Sequence, residues 1–174
     1  MIRKIAIMGP ESTGKSKISA QLAEYYQTVW VPEFAREYCS NLGRLANYED
    51  ELEILKGQIA LEEKYLPKAH NILICDTMFL TVKIYSEHVF KTYPPELDTY
   101  LRNHPYDLFL IMDIDLAWEE DPLREFPELR SYFMEIHIRE VKALGVPYFI
   151  ISGQGNDRFL NAQKCIDLFL KINS

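Results

Sequence analysis

Short apolar runs of strand length alternate along this chain with longer stretches in which apolar positions return at every third or fourth place. Runs that are apolar on both faces belong to strands covered on both sides, and the amphipathic stretches between them supply the cover. The pattern therefore predicts a parallel α/β sheet. The runs place strands at residues 4–8, 28–31, 71–75, 107–113 and 147–152. Helices are expected over residues 15–26 and 48–66, then from about Thr77, Pro95 and Glu125, and last over residues 157–172. Asn47, with Asp50 three residues later, is a capping-box variant that opens the second of these. In the last, Phe159, Ala162, Ile166 and Phe169 form a stripe facing a core, behind Asn156 as N-cap.

The expected fold class is thus a three-layer α/β/α arrangement on a five-stranded parallel sheet. Residues 118–130 break the pattern: they read W-E-E-D-P-L-R-E-F-P-E-L-R, charged throughout and interrupted by Pro122 and Pro127, between a strand and a helix. This excursion reads as a small lid over the sheet edge. No repeat, low-complexity stretch or Gly/Ser linker divides the chain, so residues 1–174 are read as one domain.

Composition narrows the classes. With 48% hydrophobic and 26% charged residues, 174 residues can bury about 70% of the surface the unfolded chain exposes. The formal charge of -7 argues against a nucleic-acid partner, which needs a basic face. No apolar stretch approaches the roughly 20 residues that cross a bilayer, and the apolar start is cut short at Gly9-Pro10, so no membrane partner is expected. Cys39, Cys75 and Cys165 are odd in number and far apart, which fits neither a disulfide framework nor a metal knuckle and points to a reducing, cytoplasmic setting.

The chemistry is concentrated in one octapeptide. Gly9-Pro10-Glu11-Ser12-Thr13-Gly14-Lys15-Ser16 matches G-x-x-x-x-G-K-S/T at every fixed position, and it follows a strand and opens a helix. Glycines let backbone N–H groups line an anion nest, and the helix adds its positive dipole end. Lys15 would reach the β- and γ-phosphates of ATP and Ser16 would ligate Mg²⁺, the arrangement of a P-loop kinase. Asp76 ends the apolar run 72–75, where a second Mg²⁺-holding carboxylate belongs; the alternative is an aspartate capping the helix from Thr77. Glu33 follows the second strand and could take the proton of an attacking hydroxyl, with Arg36 one turn on to orient an acceptor or to pair with Glu33. The alternative is a solvated helix start. Arg124 and Arg130 are lid cations for the transferring phosphate, or else members of a surface salt-bridge patch with Glu120, Asp121 and Glu125. Arg158, in the turn after the last strand, would border the nucleotide. His70, His88, His104 and His137 lack metal-ligand spacing.

Together these stretches resemble the ribosylnicotinamide kinase domain at the C-terminus of the NadR family. The matching runs are G-P-E-S-T-G-K-S at Gly9, V-P-E-F-A-R-E-Y at Val31, G-Q at Gly57 with Glu62 beyond, C-D-T at Cys75, Y-D-L at Tyr106 and W-x-x-D-x-L-R from Trp118 to Arg124. The resemblance implies a five-stranded P-loop kinase that phosphorylates nicotinamide riboside, or a similar small-molecule acceptor, from ATP with Mg²⁺. It places Glu33, Arg36, Asp76 and Trp118 against that acceptor. The helix-turn-helix and adenylyltransferase regions of NadR proteins have no counterpart here, so a stand-alone kinase is expected. Met78 stands where the family pattern leads one to expect an acidic residue. Two other readings are compatible with the residues: a P-loop kinase for a different small molecule, and an ATP-dependent switch without such an acceptor. The guanine-selecting N-K-x-D is absent. Oligomeric state is not written in any motif.

Overall fold

The computed structural model describes residues 2–172. The strands are β1 (Arg3–Met8), β2 (Trp30–Val31), β3 (Ile72–Asp76), β4 (Leu108–Met112) and β5 (Tyr148–Ile151). They form one parallel sheet in the order β2-β3-β1-β4-β5. The helices are α1 (Lys15–Tyr25), α2 (Phe34–Leu42), α3 (Tyr48–Tyr65), α4 (Phe79–Phe90), α5 (Glu96–Asn103), α6 (Arg130–Leu144) and α7 (Asn156–Ile172).

Every position of β3 and β4 is buried, because helices cover both faces of the sheet. The period of two in the strands sorts their side chains between two cores. Ala6, Met8, Leu73, Cys75, Phe109 and Ile111 meet residues of α3, α4 and α6. Ile5, Ile7, Ile72, Ile74, Leu108 and Leu110 meet α1 and α7, where Ala162, Ile166 and Phe169 form the buried stripe. Asn47 and Asp50 complete the capping box of α3, each side chain accepting the other's backbone N–H.

The structure differs from the sequence pattern at three places. The second strand shrinks to two residues, since it lies at the sheet edge and Pro32 cannot donate to a ladder. Helix α2 was not among the helices placed from the pattern; it is only nine residues long with no fully buried residue, although Phe34, Ala35, Tyr38, Cys39 and Leu42 share one face, and it is bounded by Pro32 and by Gly43 in the left-handed region. Helix α6 starts at Arg130 and not near Glu125, because a 3-10 turn at Pro127–Leu129 precedes it.

Topology fixes where chemistry can occur. β1 delivers the octapeptide at its carboxyl end, and its neighbour β3 ends level with it, Ile7 pairing with Asp76. The carboxyl ends of a parallel sheet form the crevice where ligands bind. Glu62 lies elsewhere: its carboxylate holds Lys4 at 2.6 Å and accepts from the Tyr106 hydroxyl, a buried tie near the amino ends of β1 and β4. Among the described residues no helix is long and apolar enough to cross a membrane.

Candidate active site

The loop between β1 and α1 is built on unusual backbone. Gly9 has φ +137, and a β-carbon there would lie 2.8 Å from the carbonyl oxygen of Met112, so only glycine lets the loop press onto β4. Ser12 and Gly14 also adopt positive φ. Such left-handed residues within a tight turn direct successive N–H groups into one concavity, the anion nest of phosphate loops. Thr13 Oγ1 donates to Pro10 O at 2.8 Å and closes the turn from inside. The Lys15 ammonium rests on the carbonyls of Gly9 and Pro10, at 3.1 and 2.9 Å. It is thus held at the mouth of the nest with partners it can exchange for phosphate oxygens.

Arg158 behaves differently from a nucleotide-facing cation. Only 2% exposed, it donates to the carbonyls of Thr13, Asp113, Ile151 and Gly153 and pairs with Asp115 at 2.7 Å. Its guanidinium edge is therefore occupied by backbone. It acts as a strut tying the phosphate loop to the ends of β4 and β5.

Asp76 is 1% exposed, and its Oδ1 has no hydrogen-bond partner. Burial pushes its carboxyl up to about 6, reinforced by the charge of Glu33 and opposed by Ser16, Lys15 and Arg36. A buried carboxylate oxygen without a partner, beside the loop serine, is a donor set suited to a divalent cation. It does not cap a helix from Thr77, because α4 begins at Phe79 and its N-cap is Met78, whose Sδ accepts from Leu80 N at 2.9 Å. Met78 thus takes the capping role that an acidic residue would fill there. Thr77 has φ +66, a strained value for a β-branched residue, and its Oγ1 is buried without a partner.

Glu33 is the N-cap residue of α2 but makes no side-chain capping bond, so its carboxylate is free to face the cleft. Two residues sequence reasoning had only quoted explain how it is positioned. Gln58 of α3 accepts from Phe34 N at 2.9 Å, which anchors the start of α2. A β-carbon on Gly57 would run into the Phe34 ring, so the G-Q pair both admits and holds that turn. Arg36 does not pair with Glu33; it reaches across to Asp121 of the lid in a close ion pair.

The lid lies over the phosphate loop. Glu119 N donates to Ser12 Oγ at 2.9 Å, Arg124 Nη1 approaches the same hydroxyl at 3.4 Å, and Arg130 donates to Ser12 O and Leu116 O at 3.2 and 2.9 Å. The Glu11 carboxylate accepts from the backbone of Glu125 and Phe126. Ser12 and Glu11, free positions in the motif, are thus the loop's attachments to the lid, a role their spacing could not announce. Trp118 is not among the residues lining the cleft, and its indole Nε1 is buried without a partner.

The phosphate loop, Glu33, Arg36, Met78 and Arg124 border one cleft of about 800 Å³, which runs from the loop into a lobe between α3 and α4. The lobe's walls come from helical periodicity: Glu51, Ile54 and Gln58 on α3, and Thr81, Tyr85 and Val89 on α4. The sequence pattern missed these because a polar residue on an apolar stripe looks like a boundary of the stripe.

A family profile described as an AAA domain matches residues 4–158. This chain belongs to the AAA domain family. The AAA domain described here is 25% identical to the trifunctional NAD biosynthesis/regulator protein NadR of Salmonella typhimurium, covering 96% of this chain and 42% of that protein. A crystal structure of NadR in complex with NR superposes with a TM-score of 0.77 at 21% identity, over 97% of this chain and 50% of that one. Thymidylate kinase from Ehrlichia chaffeensis gives 0.64 at 19% identity, over 94% and 98%. The AAA domain therefore shares its fold with P-loop kinases and spans less than half the length of the NadR relative.

Proposed function

We propose that this AAA domain transfers the γ-phosphate of ATP to a hydroxyl of a nucleoside, and that nicotinamide riboside is the acceptor, giving the mononucleotide. One observation carries the reading: the phosphate loop and the lobe between α3 and α4 are parts of a single cleft of about 800 Å³, with the uncapped Glu33 carboxylate bordering it. A switch that only hydrolysed ATP would have no use for such a lobe. The similarity to NadR supports the choice of acceptor.

In this reading the nest and the α1 dipole bind the phosphates, and Lys15 exchanges its carbonyl contacts for phosphate oxygens. Ser16 and the unpartnered Asp76 would hold Mg²⁺, which when bound supplies neutralising charge to the phosphates. Glu33 accepts the proton of the acceptor hydroxyl. Arg124 and Arg130, tied to Ser12, bring positive charge to the transferring group while the lid excludes water. The three free cysteines fit a reducing, cytoplasmic setting, and residues 1–174 act as one kinase unit.

The test is direct. Purified protein, ATP and Mg²⁺ are incubated with a panel of nucleosides and the products are read by mass spectrometry. Nicotinamide riboside should be converted to its mononucleotide; no conversion, with another nucleoside phosphorylated readily, would overturn the choice of acceptor.

A further inference from the structure

The lobe between α3 and α4 has an unusual charge balance. Two arginines border it, and both are engaged elsewhere: Arg36 with Asp121, and Arg44 in a two-pronged pair with Asp50 at 2.6 and 3.1 Å. A 5′-phosphate on the acceptor would need a free cation of this kind, so a nucleotide acceptor finds no partner here. What is left uncompensated is negative. Glu33 lies at the end of β2, and Glu51 lies seven residues before Gln58, about 10 Å of helix rise along α3.

That separation matters for what each carboxylate can touch. Gln58 holds the backbone next to Glu33, so Glu33 stands at the reacting end of the acceptor. Glu51 stands further out, at the distance of the base. It is held there by Ser86 of α4, a fully buried hydroxyl that donates at 2.9 Å. The same cleft is lined by the flat or branched apolar groups Ile54, Val82, Val89 and Phe90, of α3 and α4, a setting for a planar ring.

Resting on the proposed nucleoside kinase reading, we infer that Glu51 selects the base of the acceptor, and that the base it selects carries a positive charge, as a pyridinium riboside does. A carboxylate amid apolar side chains is costly unless a cation joins it. Burial accordingly pushes the Glu51 carboxyl up to about 7, with Asp50 adding to the rise and Ser86 opposing it. A pyridinium ring in the slot would supply the missing charge at short range, where a partly dehydrated site strengthens the attraction. A neutral base of the same shape would gain the packing but not the charge. The geometry assigns Glu51 as a specificity-determining residue; it does not touch the reacting atoms.

The experiment compares nicotinamide riboside with its uncharged isostere, benzamide riboside, by calorimetric titration in the presence of Mg²⁺ and a non-hydrolysable ATP analogue. The native protein should prefer the cation by about tenfold or more. Glu51→Gln, whose amide can still accept from Ser86, should bring the ratio to within about threefold, chiefly by weakening the cation. Glu51→Asp should keep the preference, because it keeps the charge. Equal affinities in the native protein, or an undiminished ratio in Glu51→Gln, would overturn the inference. Conversion of nicotinamide riboside by the native protein is measured alongside: conversion without charge preference refutes only the role of Glu51, whereas neither binding nor conversion of either riboside refutes the kinase reading and this inference together.

Discussion

Arg158 offers the sharpest test of how the phosphate loop is held. Its guanidinium satisfies four backbone carbonyls and one carboxylate from a position only 2% exposed, so Arg158→Met keeps the apolar stem and removes every one of these bonds. An unsatisfied buried acceptor costs roughly 1–3 kcal/mol, but several at one site relax together and water reaches some of them. The Asp115 partner is 32% exposed, which reduces its share further. A total of about 3–5 kcal/mol is the expected loss, in the range measured when one member of a buried pair is removed. For a domain of this size that lowers Tm by roughly 10 °C. Arg158→Lys, with three donors and no fork, should recover part of it. The assay is thermal unfolding with and without ATP. A strut lowers Tm in the absence of nucleotide, because the loop and the β4 and β5 ends come apart. If instead Arg158→Met unfolds at the native temperature and loses only the ATP-induced shift, Arg158 is a nucleotide ligand and the strut argument is wrong.

Three further outcomes follow from the site. Lys15→Ala should leave unfolding by heat nearly unchanged, since among the described residues its side chain bonds to two loop carbonyls, while phosphoryl transfer drops by at least about a hundredfold; near-native turnover in the folded variant refutes the assignment of the nest. Asp76→Asn should raise the Mg²⁺ requirement of every ATP reaction, whereas Glu33→Gln should spare Mg·ATP affinity and slow only the acceptor-dependent rate, by on the order of a hundredfold; separate titrations of Mg²⁺ and acceptor would expose a reversed pattern. Glu51 bears on pH. Burial pushes its carboxyl up to about 7, against 4.5 for an exposed glutamate, so the folded state retains a proton that the unfolded chain gives up. Stability contributed by this residue therefore falls as pH rises from about 4.5 to about 7 and is level above that. Glu51→Gln should gain roughly 1–2 kcal/mol over the native protein between pH 5 and pH 8 in urea unfolding, after allowing for partial solvent access; an equal difference at both pH values contradicts it.

Much of the sheet was legible before any coordinates. Strands buried on both faces must be apolar at every position, so residues 72–75 and 107–113 declared themselves, and the capping box at Asn47 declared the start of α3. The phosphate nest was legible for a related reason: close backbone approach at Gly9, where a β-carbon would meet Met112, leaves a glycine that no other side chain can replace. Helix α2 was overlooked although Phe34, Ala35, Tyr38, Cys39 and Leu42 share one face, because a stripe of nine residues next to Pro32 is too short to stand out from a loop. Arg36, Arg158 and Trp118 were recognised as distinctive residues but not in their surroundings.

The sequence by itself determined most of the elements and the glycine-built loop, because these depend on periodicity and on local backbone constraint within a few residues. Only the tertiary structure decided which charges are free. Arg158 is enclosed by carbonyls from β4, β5 and the loop, Arg36 and Arg44 are neutralised by Asp121 and Asp50, and Glu51 is left facing an apolar lobe. Arg36 meets Asp121 across 85 positions of chain, and Arg158 meets Thr13 across 145. Pairing over such separations is set by how the strands are ordered in the sheet, and no local pattern of residues carries that information.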